Sequence, residues 1–116
     1  MKIVHNGTLK RIYVSESARH GGRDMVTAIV EAISAAGIAG AIAFKGIEGY
    51  GSSGFISSAR VLDACVDLPI LIETVDEDAK IRAFIPALET ILHDGLVTLE
   101  RVQTVLYRTA DPLGQA

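Results

Sequence analysis

The sequence of 116 residues contains no tryptophan, one cysteine and three prolines, and aromatic side chains make up only 5% of it. Because Cys65 is the only cysteine, the chain cannot form an intrachain disulfide or a cysteine-based zinc cluster. Hydrophobic residues nevertheless reach 49%, so the core must consist of many aliphatic contacts rather than a few large rings. A disordered chain would be poor in apolar residues, and this length is typical of a single folded domain.

The net charge is also small, at −3, with an isoelectric point near 5.5. A general nucleic-acid-binding protein normally carries a basic face, so this balance argues against that class but leaves room for a local anion site. The mean hydropathy of +0.35 is high for a monomer of this size. It predicts that some apolar surface is buried against copies of the same chain.

Long uncharged segments are scarce. The longest stretch with little charge, residues 25–44, has Glu31 as its only charged residue and is long enough to cross a bilayer. Because Gly37 and Gly40 interrupt it and its first half is amphipathic, we interpret it as a helix and a strand rather than a membrane span. The first seven residues lack the apolar core of a secretion signal, which predicts a cytoplasmic protein.

Apolar spacing divides the chain into alternating strands and helices. Strands are predicted at residues 9–15, 41–47, 70–75 and 96–108, and helices at residues 25–36 and 77–93. This order predicts an α+β, ferredoxin-like βαββαβ fold, in which two helices cover one face of a four-stranded antiparallel sheet. The single domain is assigned to residues 9–108, with an N-terminal extension at 1–8 and a C-terminal tail at 109–116.

Three positions predict how these elements end or bend. Gly37 is expected to cap the first helix in the left-handed conformation. Pro86 is expected to bend the second helix, because proline removes one helical hydrogen bond. The apolar phase of the last strand slips between Leu99 and Val102, which predicts a bulge or a bend that divides it.

A glycine-rich loop follows the second predicted strand, and Gly49 to Gly54 fit the pattern G-x-G-x-x-G. In a dinucleotide-binding fold these glycines open a helix and approach a pyrophosphate. Here the residues that follow begin a helix poorly, and no room remains for a second mononucleotide-binding half. We therefore interpret the segment as a flexible loop between two strands.

Cations near these glycines could form an anion site. Backbone amides of Gly49 and Gly51 would attract phosphate oxygens, and Lys45, Arg60 and Arg108 could add ionic hydrogen bonds. The alternative is that these three side chains are solvated or paired with the many acidic residues.

Histidines supply the remaining candidate chemistry. His20 and Arg23 flank the start of the first helix, where the helix dipole favours an anion, although His20 could equally cap that helix or line an interface. His5, His20 and His93 are too scattered to predict a metal site. No serine nucleophile motif or pair of catalytic carboxylates is evident, and the acidic residues 76–78 are expected to cap the second helix.

Several blocks of the sequence resemble a known family. Residues 40–51, which end in Lys45-Gly46-Ile47-Glu48-Gly49-Tyr50-Gly51, resemble the second strand of PII signal-transduction proteins before their long T-loop, with one extra residue. Asp67-Leu68-Pro69 resembles the stretch that re-enters the PII sheet. The blocks similar to those of the PII-like family catalogued as domain of unknown function 190 are Arg11-Ile12-Tyr13, His20-Gly21-Gly22-Arg23 and Asp94-Gly95-Leu96-Val97. The resemblance spans about residues 8–108.

The resemblance implies a homotrimer with small-molecule sites in the clefts between subunits. It implies an adenine nucleotide as ligand, no required cofactor, and a regulatory role in which the 50–66 loop signals to a partner protein. A membrane transporter or channel is the implied kind of partner, and family association suggests a fluoride-export channel. In this reading Gly49, Gly51, Gly95 and Arg108 approach the ligand. PII proteins carry a phosphate-binding lysine in the turn that corresponds to residues 93–96, and this chain has none there.

Ten residues are candidates for ligand binding, by their own chemistry or by the resemblance: Lys45, Gly46, Gly49, Tyr50, Gly51, Arg60, Gly95, Arg108, His20 and Arg23. The main hypothesis is a regulatory module that binds a small anion, an adenine nucleotide by resemblance, and is not an enzyme. The alternatives are a small ferredoxin-like enzyme, with His20 or His93 as general base on a compact substrate, and a purely structural subunit.

Overall fold

The longest strand, β1 (Lys2–Ser15), is the central element of the computed structural model, which describes residues 1–60 and 67–109. Two short strands, β2 (Arg19–His20) and β3 (Arg23–Asp24), form a hairpin that leads into helix α1 (Met25–Ala35). The remaining elements are β4 (Ala41–Lys45), β5 (Glu48–Gly49), β6 (Ser57–Ser58), β7 (Pro69–Glu77), α2 (Asp78–Ala83), α3 (Ile85–Glu89) and β8 (Leu96–Tyr107). Cys65, part of the 50–66 loop and most of the predicted tail lie outside the described residues.

One four-stranded sheet has the order β4-β7-β1-β8, and each neighbouring pair is antiparallel. The three helices pack on one face of it, against Ile12, Val14, Ile70 and Ile72. Residues of β7 alternate between buried and half-buried positions, as expected for a strand with one covered face. The predicted α+β, ferredoxin-like fold is confirmed.

The core between the sheet and the helices is aliphatic, as the composition predicted. Its fully buried apolar side chains include Ile12, Ile29, Ile33, Ile72 and Ile81. Burial of each such side chain contributes about 1.5–3 kcal/mol to stability. These five side chains therefore supply much of the free energy that holds the helices on the sheet.

The ends of the helices follow from glycine and proline. Gly37 has a φ of 75° and accepts the left-handed conformation just after α1, as predicted. The second predicted helix is wrong as a single element: it is divided at Phe84 into α2 and α3. The reason is Pro86, which has no N–H to donate and is tolerated only in the first turn of a helix.

The last strand, β8, contradicts the predicted bulge. Its register with β1 is unbroken from the pair Tyr107–Lys2 to the pair Leu96–Tyr13. The apolar pattern shifts by one residue because the strand carries apolar side chains first on one face and then on the other. Val97 lies on the helix side, whereas Val102 points to the opposite face. β1 also begins at Lys2 rather than at residue 9, since its first residues pair with the end of β8.

Residues 2–6 of β1 and 103–107 of β8 form a two-stranded arm that extends beyond the helices. On the helix side of this arm Val4, Val105 and Tyr107 are exposed. The amino-terminal nitrogen of Met1 donates to the carbonyl oxygen of Arg108 at 2.6 Å, which closes the end of the ladder. The chain is accordingly elongated, with extents of 51 × 29 × 27 Å.

The face of the sheet opposite the helices carries an apolar row. Phe44, Leu71, Tyr13 and Leu96 are directly opposite one another across all four strands and therefore share this face. Phe44, Tyr13 and Leu96 are exposed in the single chain. A row of exposed large side chains across a sheet is typical of a surface that another molecule covers.

Lys10 is a charged residue within the covered face of the sheet. Its side chain is fully buried, and Nζ donates to the carbonyl oxygen of Ile81 at 3.2 Å and lies 5.0 Å from the ring centroid of Phe84. Burial lowers the pKa of Lys10 below its ordinary value, because the charged form loses its hydration. The ammonium group thus binds the chain at the break between α2 and α3.

Candidate functional site

A cavity of about 580 Å³ lies between the glycine-rich loop and the start of β8, and we call it the loop cavity. Three aromatic residues line it: Tyr13 from β1, and Tyr50 and Phe55 from the loop. Pro69 at the start of β7 and Leu96 at the start of β8 add apolar surface. The lining therefore combines aromatic and apolar surface with about as much polar surface, from four serines and the carboxylates of Asp67 and Asp94.

Short strands position the glycine-rich loop. β5 pairs with β6, so residues 50–56 are the connection between two paired segments. Ala59 N donates to Ile47 O at 2.7 Å, and Gly54 N donates to Gly51 O at 3.0 Å. Gly54 has a φ of 77°, a conformation that favours glycine. The loop predicted between the strands at 41–47 and 70–75 thus contains a short β5–β6 hairpin, which the sequence pattern did not predict.

The candidate glycines fall into two groups. A Cβ at Gly46 or Gly49 would lie 2.8 Å or 3.0 Å from Cγ of Pro69, and one at Gly95 would lie 2.6 Å from the carbonyl oxygen of Tyr13. These three positions exclude side chains because the chain packs against itself there. A Cβ at Gly51 would have no atom within 4 Å, so its surroundings inside the chain leave room for a side chain.

Two carboxylates at the rim of the loop cavity connect its walls. Asp94 Oδ2 accepts a hydrogen bond from Ser52 Oγ at 2.6 Å, which joins the glycine-rich loop to the turn before β8. Asp67 accepts from the backbone N and from Oγ of Ser17, at 2.9 Å and 2.7 Å. Both aspartates lie in blocks that carry the family resemblance, but their function as loop anchors was not predicted.

The candidate cations lie elsewhere. Among the described residues that line the loop cavity, none is a lysine or an arginine. Lys45 forms an ion pair with Glu16, and Arg23 Nη2 donates to Glu31 Oε2 at 2.7 Å. Arg60 is exposed near β6, where its backbone N donates to Ser58 Oγ at 3.2 Å.

Arg108 is far from the glycines of its own chain. It follows the last residue of β8, whereas Gly95 precedes the first. With 12 residues in this strand and a rise of about 3.4 Å per residue, the two ends are separated by roughly 40 Å. A single chain therefore does not bring Arg108 and Gly95 into one site.

The two histidines proposed as alternative bases are close to each other. The rings of His20 and His93 are 6.1 Å apart between centroids and inclined by 38°. His20 is on the β2–β3 hairpin and His93 precedes Asp94, so the pair links the hairpin to the turn before β8. Neither histidine lines the loop cavity.

A second cavity, of about 620 Å³, lies beside the edge strand β4, and we call it the edge cavity. It is bounded by the β2–β3 hairpin, the start of α1 and the end of β1. Lys45 lines this cavity, whereas Gly49, Tyr50, Gly51 and Gly95 line the loop cavity. The other five candidates, Gly46, Arg60, Arg108, His20 and Arg23, line neither.

Neither a membrane-spanning helix nor a metal-binding group is found in residues 1–60 and 67–109. No helix in these ranges has the length and apolarity needed to span a bilayer. In the same ranges, no three side chains of histidine, cysteine, aspartate or glutamate lie together as a metal-binding group would require.

Known proteins match this chain over most of its length. The model of the DUF190 family (Uncharacterized ACR) matches residues 7–104. The UPF0166 protein of Aquifex aeolicus is 31% identical over 105 residues, which are 90% of this chain and 98% of that protein. A UPF0166 protein of Methanocaldococcus jannaschii is 34% identical over 90 residues, which are 77% of this chain and 82% of that protein.

Solved structures show the same fold. CPII, a nitrogen regulatory PII-like protein from Thiomonas intermedia K12 bound to ADP, AMP and bicarbonate, matches 88% of this chain and 91% of its own with a TM-score of 0.59 and 17% identity. CPII bound to ADP, AMP and acetate matches with a TM-score of 0.54 and the same 17% identity. The chain therefore belongs to the DUF190 family, and its fold is that of the PII-like proteins.

Proposed function

We propose that this chain is a PII-like regulatory module that binds an adenine nucleotide in the loop cavity and signals through the 50–66 loop. In this proposal the module is a cytoplasmic homotrimer, and each site is completed by a neighbouring subunit. The observation that carries the proposal is the loop cavity itself, which has a ligand-sized volume and is built by the loop that would transmit the signal.

The lining of the loop cavity suits the base and ribose of a nucleotide. Aromatic rings such as Tyr13, Tyr50 and Phe55 stack on nucleobases, at about 1–3 kcal/mol per stacked base. The carboxylates of Asp67 and Asp94 accept hydrogen bonds, as ribose hydroxyls and the adenine amino group require. The CPII structures from Thiomonas intermedia, which share this fold, contain ADP and AMP.

Phosphate groups need a cation that the described lining of one chain does not provide. Arg108 is the candidate cation most distant from its own loop cavity, at the end of the arm. A neighbouring copy that covered the apolar row of Phe44, Leu71, Tyr13 and Leu96 would bury that exposed surface. We infer that the same contact brings Arg108 of one subunit to the loop cavity of the next.

Signal transmission is assigned to the glycine-rich loop. Three large apolar side chains on it, Tyr50, Phe55 and Ile56, are 72–80% exposed, and Ile47 just before β5 is 66% exposed. A nucleotide that contacts Tyr50 and Phe55 favours one arrangement of these side chains, and so changes the surface offered to a partner by population shift. The partner, predicted by family association to be a fluoride-export channel, stays a prediction.

Isothermal titration of the full chain with ADP, AMP and ATP tests the proposal. We expect ADP and AMP to bind, and Gly51→Val to weaken binding by about tenfold or more, because it places a side chain on the cavity wall. Gly40→Val is the matched control, since a Cβ at Gly40 would also have no atom within 4 Å but Gly40 does not line the cavity.

Two results would contradict the proposal. One is the absence of binding heat with all three nucleotides in a sample shown by light scattering to be a trimer. The other is equal weakening by Gly51→Val and Gly40→Val, because the loop cavity would then have no special part in binding.

A further inference from the structure

We propose that the edge cavity is a separate binding site for a zwitterion, namely an α-amino acid with an apolar side chain. The edge cavity and the loop cavity have no lining residue in common. The proposal therefore stands independently of nucleotide binding.

Four charged side chains line the edge cavity as two ion pairs. Lys45 Nζ pairs with Glu16 Oε2, and Arg19 Nη1 lies 3.5 Å from Asp24 Oδ1. The exposed fractions of these four side chains are between 36% and 59%. Ion pairs with that exposure contribute only about 0–1 kcal/mol, so each pair can open to bind a ligand at small cost.

The arrangement of these charges selects the class of ligand. The carboxylates of Glu16 and Asp24 would repel a phosphate or a dicarboxylate. The cations Arg19 and Lys45 would repel a simple amine. A ligand with one carboxylate and one ammonium group can instead exchange with both ion pairs. The arginine fork is well suited to the carboxylate, because it donates two parallel hydrogen bonds.

The rest of the lining is apolar. Val26 of α1, Ala43 of β4 and Ile70 of β7 line the cavity beside the charged groups, and Phe44 borders it from β4 although its ring belongs to the apolar row on the opposite face of the sheet. The volume of about 620 Å³ exceeds what the charged part of an amino acid needs and lies within the usual range of roughly 300–1,000 Å³ for ligand pockets. We therefore assign this surface to an aliphatic or aromatic side chain of the ligand.

The test is an NMR chemical-shift titration of the isotope-labelled full chain with each proteinogenic amino acid at millimolar concentration. We expect apolar amino acids to shift the signals of residues around the edge cavity. The decarboxylated amine and the deaminated acid of the best ligand should each bind about tenfold more weakly, because each keeps only one of the two charges. Equally tight binding of the deaminated acid would overturn the zwitterion assignment in favour of a simple anion site.

Three substitutions locate the site. Arg19→Gln and Lys45→Gln, on different ion pairs, should each weaken amino-acid binding by about tenfold. Arg23→Gln is the matched control, because Arg23 lies on the same hairpin, is equally exposed and pairs with Glu31 outside the edge cavity. The proposal fails if no amino acid shifts these signals, or if Arg23→Gln weakens binding as much as the other two.

A fourth variant separates this site from the nucleotide site. Gly51→Val should weaken nucleotide binding and leave amino-acid binding unchanged. Loss of both would mean that the edge cavity is not a separate site, whereas loss of neither would contradict the proposed function and leave the amino-acid result standing.

Discussion

The loop cavity and the edge cavity open at the same end of the sheet, where β1 and β4 end, but their chemistry differs. The loop cavity combines three aromatic rings with two aspartates, and its described lining has no basic side chain. The edge cavity has two basic and two acidic side chains beside an aliphatic wall. One scaffold thus forms two kinds of cavity, because different loops follow the same pair of strands.

The difference also concerns what each cavity needs from outside the chain. In the edge cavity the positive and negative charges balance within a single chain. In the loop cavity, an anionic ligand requires a cation from another subunit, if the proposed function is correct. The substitutions below test this contrast and the scaffold that both cavities share.

The largest expected effect belongs to Arg108→Gln. If Arg108 of a neighbouring subunit binds the nucleotide phosphates, its loss should cost about 2–5 kcal/mol, which is a weakening of roughly 30-fold or more. Amino-acid binding in the edge cavity should not change. Isothermal titration with ADP and with the best amino acid measures both effects.

Mixed subunits sharpen this prediction. We expect a fraction of the nucleotide sites to be recovered when chains with Arg108→Gln and chains with Gly51→Val are unfolded and refolded together. In a mixed oligomer, the intact loop of the first chain can form a site with the intact Arg108 of the second. If Arg108→Gln alone binds ADP like the wild type, or if the mixture recovers no sites, the site is not shared between subunits in this way.

A smaller effect distinguishes the glycines around the loop cavity. At Gly95 a Cβ would lie 2.6 Å from the Tyr13 carbonyl oxygen and 2.9 Å from Leu92 Cδ1, so Gly95→Ala should destabilise the fold by about 1–3 kcal/mol. Gly51→Ala should stay within about 0.5 kcal/mol of the wild type. Urea unfolding measures both, and an equal loss of stability would show that Gly95 is not packed as described.

The smallest effect concerns the scaffold beneath both cavities. Burial lowers the pKa of Lys10 from its ordinary value of 10.5, so the folded chain releases this proton at a lower pH than the unfolded chain. Between the two pKa values the unfolded chain binds more protons, and the wild type should therefore gain stability as pH rises. The difference in stability between the wild type and Lys10→Met should therefore shift in favour of the wild type over this pH range.

Urea unfolding of both proteins between neutral pH and about pH 10.5 measures this difference. A constant difference in the free energy of unfolding across that range would contradict the lowered pKa of Lys10.

Sequence patterns predicted those helices and strands that depend on residues close together in the chain. The three- and four-residue spacing before Gly37 predicts α1, and the density of aliphatic residues predicts the middle of each sheet strand. The division of the second helix required knowledge of where Pro86 falls within a turn. The true start of β1 at Lys2 depends on pairing with Tyr107, a partner that the local pattern does not reveal.

The candidate site was harder to predict because the partners of its charged residues lie at no regular spacing along the chain. Lys45 pairs with Glu16 and Arg23 with Glu31, and no spacing rule for strands and loops indicates such pairs. The glycines were easier to identify as important, but Gly46, Gly49 and Gly95 are explained first by packing against Pro69 and Tyr13. Sequence alone does not separate that structural requirement from ligand binding.

The two-stranded arm has a consequence for how a shared site would respond to dilution. In the proposed trimer, each subunit would place Arg108 of its arm in the loop cavity of a neighbouring subunit. Ligand and neighbouring subunit would then stabilise the same complex, so each would raise the apparent affinity of the other by mass action. At low concentrations of the chain, separation of the subunits and release of the nucleotide would be a single event.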